Sequence, residues 1–148
     1  MTSFQQDLLS RFVGTDEGEV TEYLGYEIIR DREAKTAKIV QVGYAERVLK
    51  TFGMWDCHPV NTPLDANNRL SKRDCPEVVD PNVHRCYRNI VGCLSYLVNM
   101  TRPDLAFSSS QLSKFVQYPG KAHMETVEHV LQYVRATYDQ GLCSLTLA

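Results

Sequence analysis

Phe4, Leu8, Leu9 and Phe12 recur at helical spacing, and Ser3 with Gln6 makes a capping-box pattern, so a short helix is predicted that ends before Gly14. Its apolar side needs a surface to pack on. After a polar stretch, the run 20–29 is rich in β-branched and aromatic residues, and 38–42 is a second such run. The charged, turn-like segment 31–37 between them makes a β-hairpin the natural reading. Ala45, Val48, Leu49 and Phe52 then follow the i, i+3, i+4, i+7 template, with Gly53 placed to stop a second helix.

From residue 55 to about 86 no period is sustained and prolines recur at 59, 63, 76 and 81, so a long connection is expected to lie across other elements. Three helices follow. Tyr87, Ile90, Val91, Leu94, Leu97 and Val98 mark the first. Pro103 and Asp104 suit the opening of the second, whose apolar face is Leu105, Leu112, Phe115 and Val116, and Pro119-Gly120 breaks it. Val127, Val130, Leu131 and Val134 stripe the third. Residues 141–147 read as a strand with no partner downstream, as if truncated. The expected fold is α+β, mainly helical, with one hairpin near the N-terminus.

Composition narrows the function without choosing it. The 148 residues suit one compact unit, or a piece of something larger, and 43% hydrophobic with 23% charged residues excludes wholesale disorder. A formal charge of -2 supplies no general positive field, so any binding of nucleic acid must be local. The five cysteines are odd in number, widely spaced and free of a Cys-x-x-Cys pair, which points to reduced thiols and an intracellular, cytoplasmic or nuclear, location. No leader or membrane span is evident. Asn99-Met100-Thr101 matches a glycosylation acceptor by chance, since it falls at an amphipathic helix of an apparently cytosolic chain.

Catalytic chemistry is hard to find. Two-metal phosphoryl transfer needs a close pair of carboxylates, and no adjacent aspartates occur; the acidic dipeptide Asp16-Glu17 lies in a glycine-flanked loop. There is no phosphate loop, no nucleophile elbow and no zinc spacing; Cys57-His58 has no second pair, and His84, His123 and His129 are isolated. No catalytic residue, metal ligand or cofactor site is therefore assigned.

The ordered blocks say more. Tyr23-Leu24-Gly25-Tyr26-Glu27-Ile28 follows the first helix, then Gln41 and Tyr44, Pro59-Val60-Asn61-Thr62-Pro63, Tyr87-Arg88 with Gly92 and Tyr96, Thr101-Arg102-Pro103-Asp104, and Gln111-Leu112-Ser113-Lys114-Phe115. Over nearly the whole chain this series resembles copia-type retrotransposon reverse transcriptases, downstream of their catalytic Asp-Asp strand. Asp16-Glu17-Gly18 departs from the family's Asp-Leu-Gly, and Arg135-Ala136-Thr137 from its Lys-Gly-Thr. The resemblance implies end-of-palm and primer-grip elements in 1–54, an extended connection in 55–86, a thumb and connection region in 87–141, and the start of a truncated RNase H strand in 142–148. It also implies a primer-template partner of RNA and DNA, Mg²⁺ in the parent polymerase, and missing fingers, palm and RNase H parts.

Two kinds of site residue are expected. Leu24, Gly25, Tyr26 and Glu27 resemble the retroviral primer grip: glycine admits a sugar-phosphate strand close to the backbone, and a tyrosine offers it a flat face. The alternative is that Gly25 marks a bulge and Tyr26 merely packs. Arg47, Lys50, Arg88 and Lys114 are candidates for phosphate contact, within a wider basic set of which most are ordinary surface residues. Tyr87, Arg88, Gly92, Tyr96, Thr101, Arg102, Pro103 and Asp104 form the structural motif, in which the Arg102 fork suits a carboxylate or terminal carbonyls.

Overall fold

The computed structural model of the chain describes residues 3–15, 17–65 and 70–145, and Asp16 and residues 146–147 of the expected terminal strand lie outside them. Helix α1 spans Ser3–Arg11, with an Asp7–Arg11 ion pair one turn apart. Its Phe4 and Leu8 are exposed, as is Phe12 beyond it. The helix is present as expected, and its apolar side is uncovered.

The expected hairpin is β2 (Tyr26–Asp31) paired with β3 (Thr36–Val40), and the Asp31 carboxylate accepts from the Ala34 N–H inside the connecting turn (2.8 Å). The run 20–29 is not one strand. It breaks at Leu24-Gly25 into β1 (Glu22–Tyr23) and β2, which fold back antiparallel with Tyr23 opposite Tyr26. Strand β4 (Gly141–Leu145) joins the far side of β3, so the terminal strand finds its partner upstream and the sheet runs β1-β2-β3-β4. Ile28, Ile39 and Leu142 stand in one row across it.

Four helices carry the core. Helix α2 spans Val42–Thr51 and buries Ala45, Val48 and Leu49; Gly53 beyond it takes φ +69, the left-handed geometry of a helix stop. Helix α3, Pro81–Met100, begins six residues before the Tyr87 stripe because Asp80 accepts from the Asn82 N–H (2.7 Å) and Pro81 suits a first helical position. The connection is correspondingly shorter. Its Leu64 and Leu70 pack on the core, and His129 Nε2 donates to the Thr62 carbonyl (2.9 Å).

Pro103–Leu105 forms a short 3₁₀ turn leading into α4 (Ala106–Ser113), and α5 spans Lys121–Ala136. Tyr87, Leu94, Leu97, Leu105, Leu112, Val127 and Leu131 interlock with α2 in one cluster, where truncating a leucine to alanine costs about 2–5 kcal/mol. Burial pushes the Tyr87 hydroxyl pKa up, and that hydroxyl donates to the Leu112 carbonyl (2.9 Å), tying α3 to α4. Among the described residues no helix is long and apolar enough to cross a membrane.

Candidate nucleic-acid interface

Leu24 and Gly25 are the two residues of a hairpin turn with φ +51 and +82, the doubly left-handed geometry of a tight two-residue loop. Gly25 adopts it freely; at Leu24 it costs about 1–2 kcal/mol. Contacts to α3 hold the turn in place. The Tyr96 hydroxyl donates to the Leu24 carbonyl (3.4 Å), Tyr26 donates to Met100 Sδ, and Tyr44 of α2 meets the Tyr96 ring edge-on at 4.7 Å. The Leu24 side chain is left 71% exposed. The one-to-one register on both sides of Gly25 leaves no bulge there, and Tyr26 both packs on α3 and stands beside an exposed turn.

Glu27 points the other way. Its carboxylate accepts from the Gly43 N–H (3.3 Å) in the first turn of α2, where the helix dipole favours negative charge. A Cβ on Gly43 would lie 3.7 Å from an Arg47 guanidinium nitrogen and 3.8 Å from Glu27 Oε1, so these two groups flank that glycine.

Between α2 and α3 runs a groove of about 600 Å³, with Tyr44, Arg47, Thr51 and Phe52 on one wall and Arg88, Asn89, Gly92 and Cys93 on the other. Two of the four basic candidates, Arg47 and Arg88, therefore share one depression. Lys50 pairs with Glu46 and lies 5.3 Å over the Trp55 ring, and Lys114 at the end of α4 donates to Gln111 (2.9 Å); neither lines the groove. Gly92 is exposed in mid-helix, where a Cβ would meet nothing within 4 Å. Glycine there leaves the α3 backbone bare at the groove. Burial and a hydrogen bond with Cys93 raise the Tyr44 hydroxyl pKa, while the Arg47 charge opposes the rise, so Tyr44 enters the groove as a neutral phenol.

The Thr101-Arg102-Pro103-Asp104 block binds the helices together away from the groove. Arg102, 2% exposed, donates through Nε and Nη2 to the two Asp104 oxygens (3.0 and 2.8 Å) and through Nη1 to the Thr137 carbonyl at the end of α5 (2.8 Å). Its fork meets a carboxylate and a terminal carbonyl at once. Burial alone would raise the Asp104 carboxyl, but the Arg102 hydrogen bonds and charge, with the Tyr133 hydroxyl, hold it below its ordinary value. Thr101 donates to buried Gln41 at the start of α2 (2.9 Å). Gln41, Tyr133 and Thr137 carry no local signal for these roles, because their partners lie tens of residues away.

No group of three or more His, Cys, Asp or Glu residues that could hold a metal ion occurs among the described residues.

Comparisons with known proteins place retrotransposon polyproteins among the relatives of the chain. The chain is 38% identical over 140 residues, 93% of its length, to the Retrovirus-related Pol polyprotein from transposon TNT 1-94 of Nicotiana tabacum, and 31% identical over 136 residues to that from transposon RE1 of Arabidopsis thaliana. It is also 34% identical over 137 residues to an uncharacterized mitochondrial protein of Arabidopsis thaliana. The chain spans 10% and 9% of the two polyproteins and 53% of the mitochondrial protein. No family model matches it, and no solved structure matches it significantly.

Proposed function

We propose, from the premise that the chain derives from a retrotransposon Pol polyprotein, that it is the primer-grip, thumb and connection portion of a copia-type reverse transcriptase. In this role it holds primer-template nucleic acid and forms no phosphodiester bond by itself. The observation that carries the reading is the groove between α2 and α3, lined by Arg47, by Arg88 and by the bare backbone at Gly92, with the Leu24-Gly25 turn docked on α3 through Tyr96. Guanidinium groups suit phosphate oxygens, and an uncovered helix backbone admits a sugar-phosphate strand. The charge in the groove is local, as the net charge of -2 requires.

Titrating the chain into a labelled RNA-DNA hybrid and following fluorescence anisotropy against salt tests this. Each phosphate contact adds about 0.9 to the slope of log affinity against log salt, so replacing both Arg47 and Arg88 with glutamine flattens that slope by about 2. An unchanged slope in the double variant, or no binding at low salt, defeats the proposal. Primer extension by the isolated chain would defeat its non-catalytic half. A second reading, a relic that folds fully only with a partner, is favoured by the uncovered Phe4 and Leu8 of α1.

A further inference from the structure

We infer that Glu27 restrains the groove from outside it, by drawing the Arg47 guanidinium back along α2 and competing with phosphate for it. This part for Glu27 rests on the proposed reading of the groove as a site for nucleic acid, and it is a part other than contact with a strand.

The placement follows from local geometry. Side chains on a helix tilt toward its N-terminus, so the Arg47 side chain leans over the turn that holds Gly43, four residues earlier. Gly43 has no side chain to fill that space. A Cβ built there would lie 3.7 Å from Arg47 Nη1 and 3.8 Å from Glu27 Oε1, so the guanidinium and the carboxylate border one small space. The carboxylate is fixed there from the sheet side: Glu27 lies in β2, opposite Val40, and accepts from the Gly43 N–H (3.3 Å). The guanidinium also lies 5.8 Å over the Tyr44 ring, whose face attracts a cation. One charge and one ring thus hold Arg47 toward the start of α2. Arg88, exposed on the other wall, has no ion pair among the described residues.

Two consequences have the same sign. A phosphate oxygen that takes Arg47 must replace the attraction of the Glu27 carboxylate, and once bound it sits near a like charge. Glu27 therefore weakens strand binding at the α2 wall, and removing its charge strengthens it. Couplings between solvent-screened charges correspond to about two- to fivefold in affinity.

Fluorescence anisotropy of the labelled RNA-DNA hybrid at low salt tests this with the wild-type chain, Glu27→Gln, Arg47→Gln, Arg88→Gln, and Glu27→Gln combined with each arginine variant. Glutamine keeps the oxygen that accepts from Gly43 and removes only the charge. Glu27→Gln is expected to tighten binding about two- to fivefold, to give no gain beside Arg47→Gln, and to keep its gain beside Arg88→Gln. A residue with a purely structural part would weaken binding when replaced. Binding that Glu27→Gln leaves unchanged or weakens overturns the inference alone, as does a gain that survives Arg47→Gln, which reports general charge. No binding by any chain defeats the nucleic-acid reading and the inference with it. Circular dichroism melts check folding; if the glutamine variant fails to fold, Glu27→Thr, uncharged and suited to a strand, takes its place.

Discussion

A methyl group added at Gly120 would arrive 2.0 Å from the Asp74 carbonyl oxygen, whereas one added at Gly92 meets nothing within 4 Å. The same substitution therefore has opposite signs. Gly120→Ala forces the 71–75 segment off the start of α5 and is expected to lower stability by about 1–3 kcal/mol, the cost of overpacking a closed contact. Gly92→Ala removes a flexible residue from an exposed helix interior and is expected to raise stability by about 1 kcal/mol. Urea denaturation of both variants checks the pair. Under the proposed function, the more stable Gly92→Ala chain binds the hybrid more weakly, because its methyl group occupies the space a strand would enter. That dissociation of folding from binding is one a purely structural glycine would not produce. The sequence separates a glycine at a helix break from one inside a helix, but the closed contact at Gly120 is not legible in it, because that contact is made by Asp74 from elsewhere in the chain.

At the scale of elements, α5 is held at its start by a histidine. His123 Nδ1 accepts from the Gly120 N–H (2.9 Å), its ring stacks on Phe115 at 4.2 Å, and its Nε2 is buried. Burial holds its pKa below the ordinary 6.5, with the Asp74 charge and a hydrogen bond to the Ser71 backbone pulling the other way. The folded chain therefore resists a proton that the unfolded chain accepts. Stability is full above the ordinary imidazole value and is lost as pH falls below it toward the depressed folded pKa. A urea-midpoint series from neutral to mildly acidic pH should show this decline, and His123→Gln should flatten it while lowering stability at neutral pH. The helices were legible because their apolar positions repeat within one segment, as in Val127, Val130, Leu131 and Val134. The Leu24-Gly25 turn was not, because leucine is a poor turn former and the apolar run 20–29 reads as continuous. Arg47 and Arg88 were legible as basic residues, but their convergence depends on how α2 packs against α3.

For the molecule as a whole, the decisive join is β3 with β4. Gly141 allows it: a Cβ there would lie 2.2 Å from the Ile39 carbonyl oxygen. Gly141→Ala is expected to lift β4 from β3 while leaving the four-helix core folded. Hydrogen exchange would then show faster exchange along residues 36–40 and 141–145, with the Leu94 and Leu131 regions still protected. Equal loss of protection everywhere would instead mean that sheet and helices form one cooperative unit. The join also fixes an order of events. Lys38 donates to the Asp139 carbonyl (3.0 Å) across 101 positions, and Ile39 lies opposite Leu142. Closing so long a loop carries an entropy cost that rises only slowly with length, but it must be met before the distant contacts repay it, which slows folding. On a ribosome, β2 and β3 emerge about a hundred residues ahead of β4 and wait with one strand edge bare until β4 has been made. During that interval the nascent chain depends on the speed of translation and on whatever shields the edge of β3.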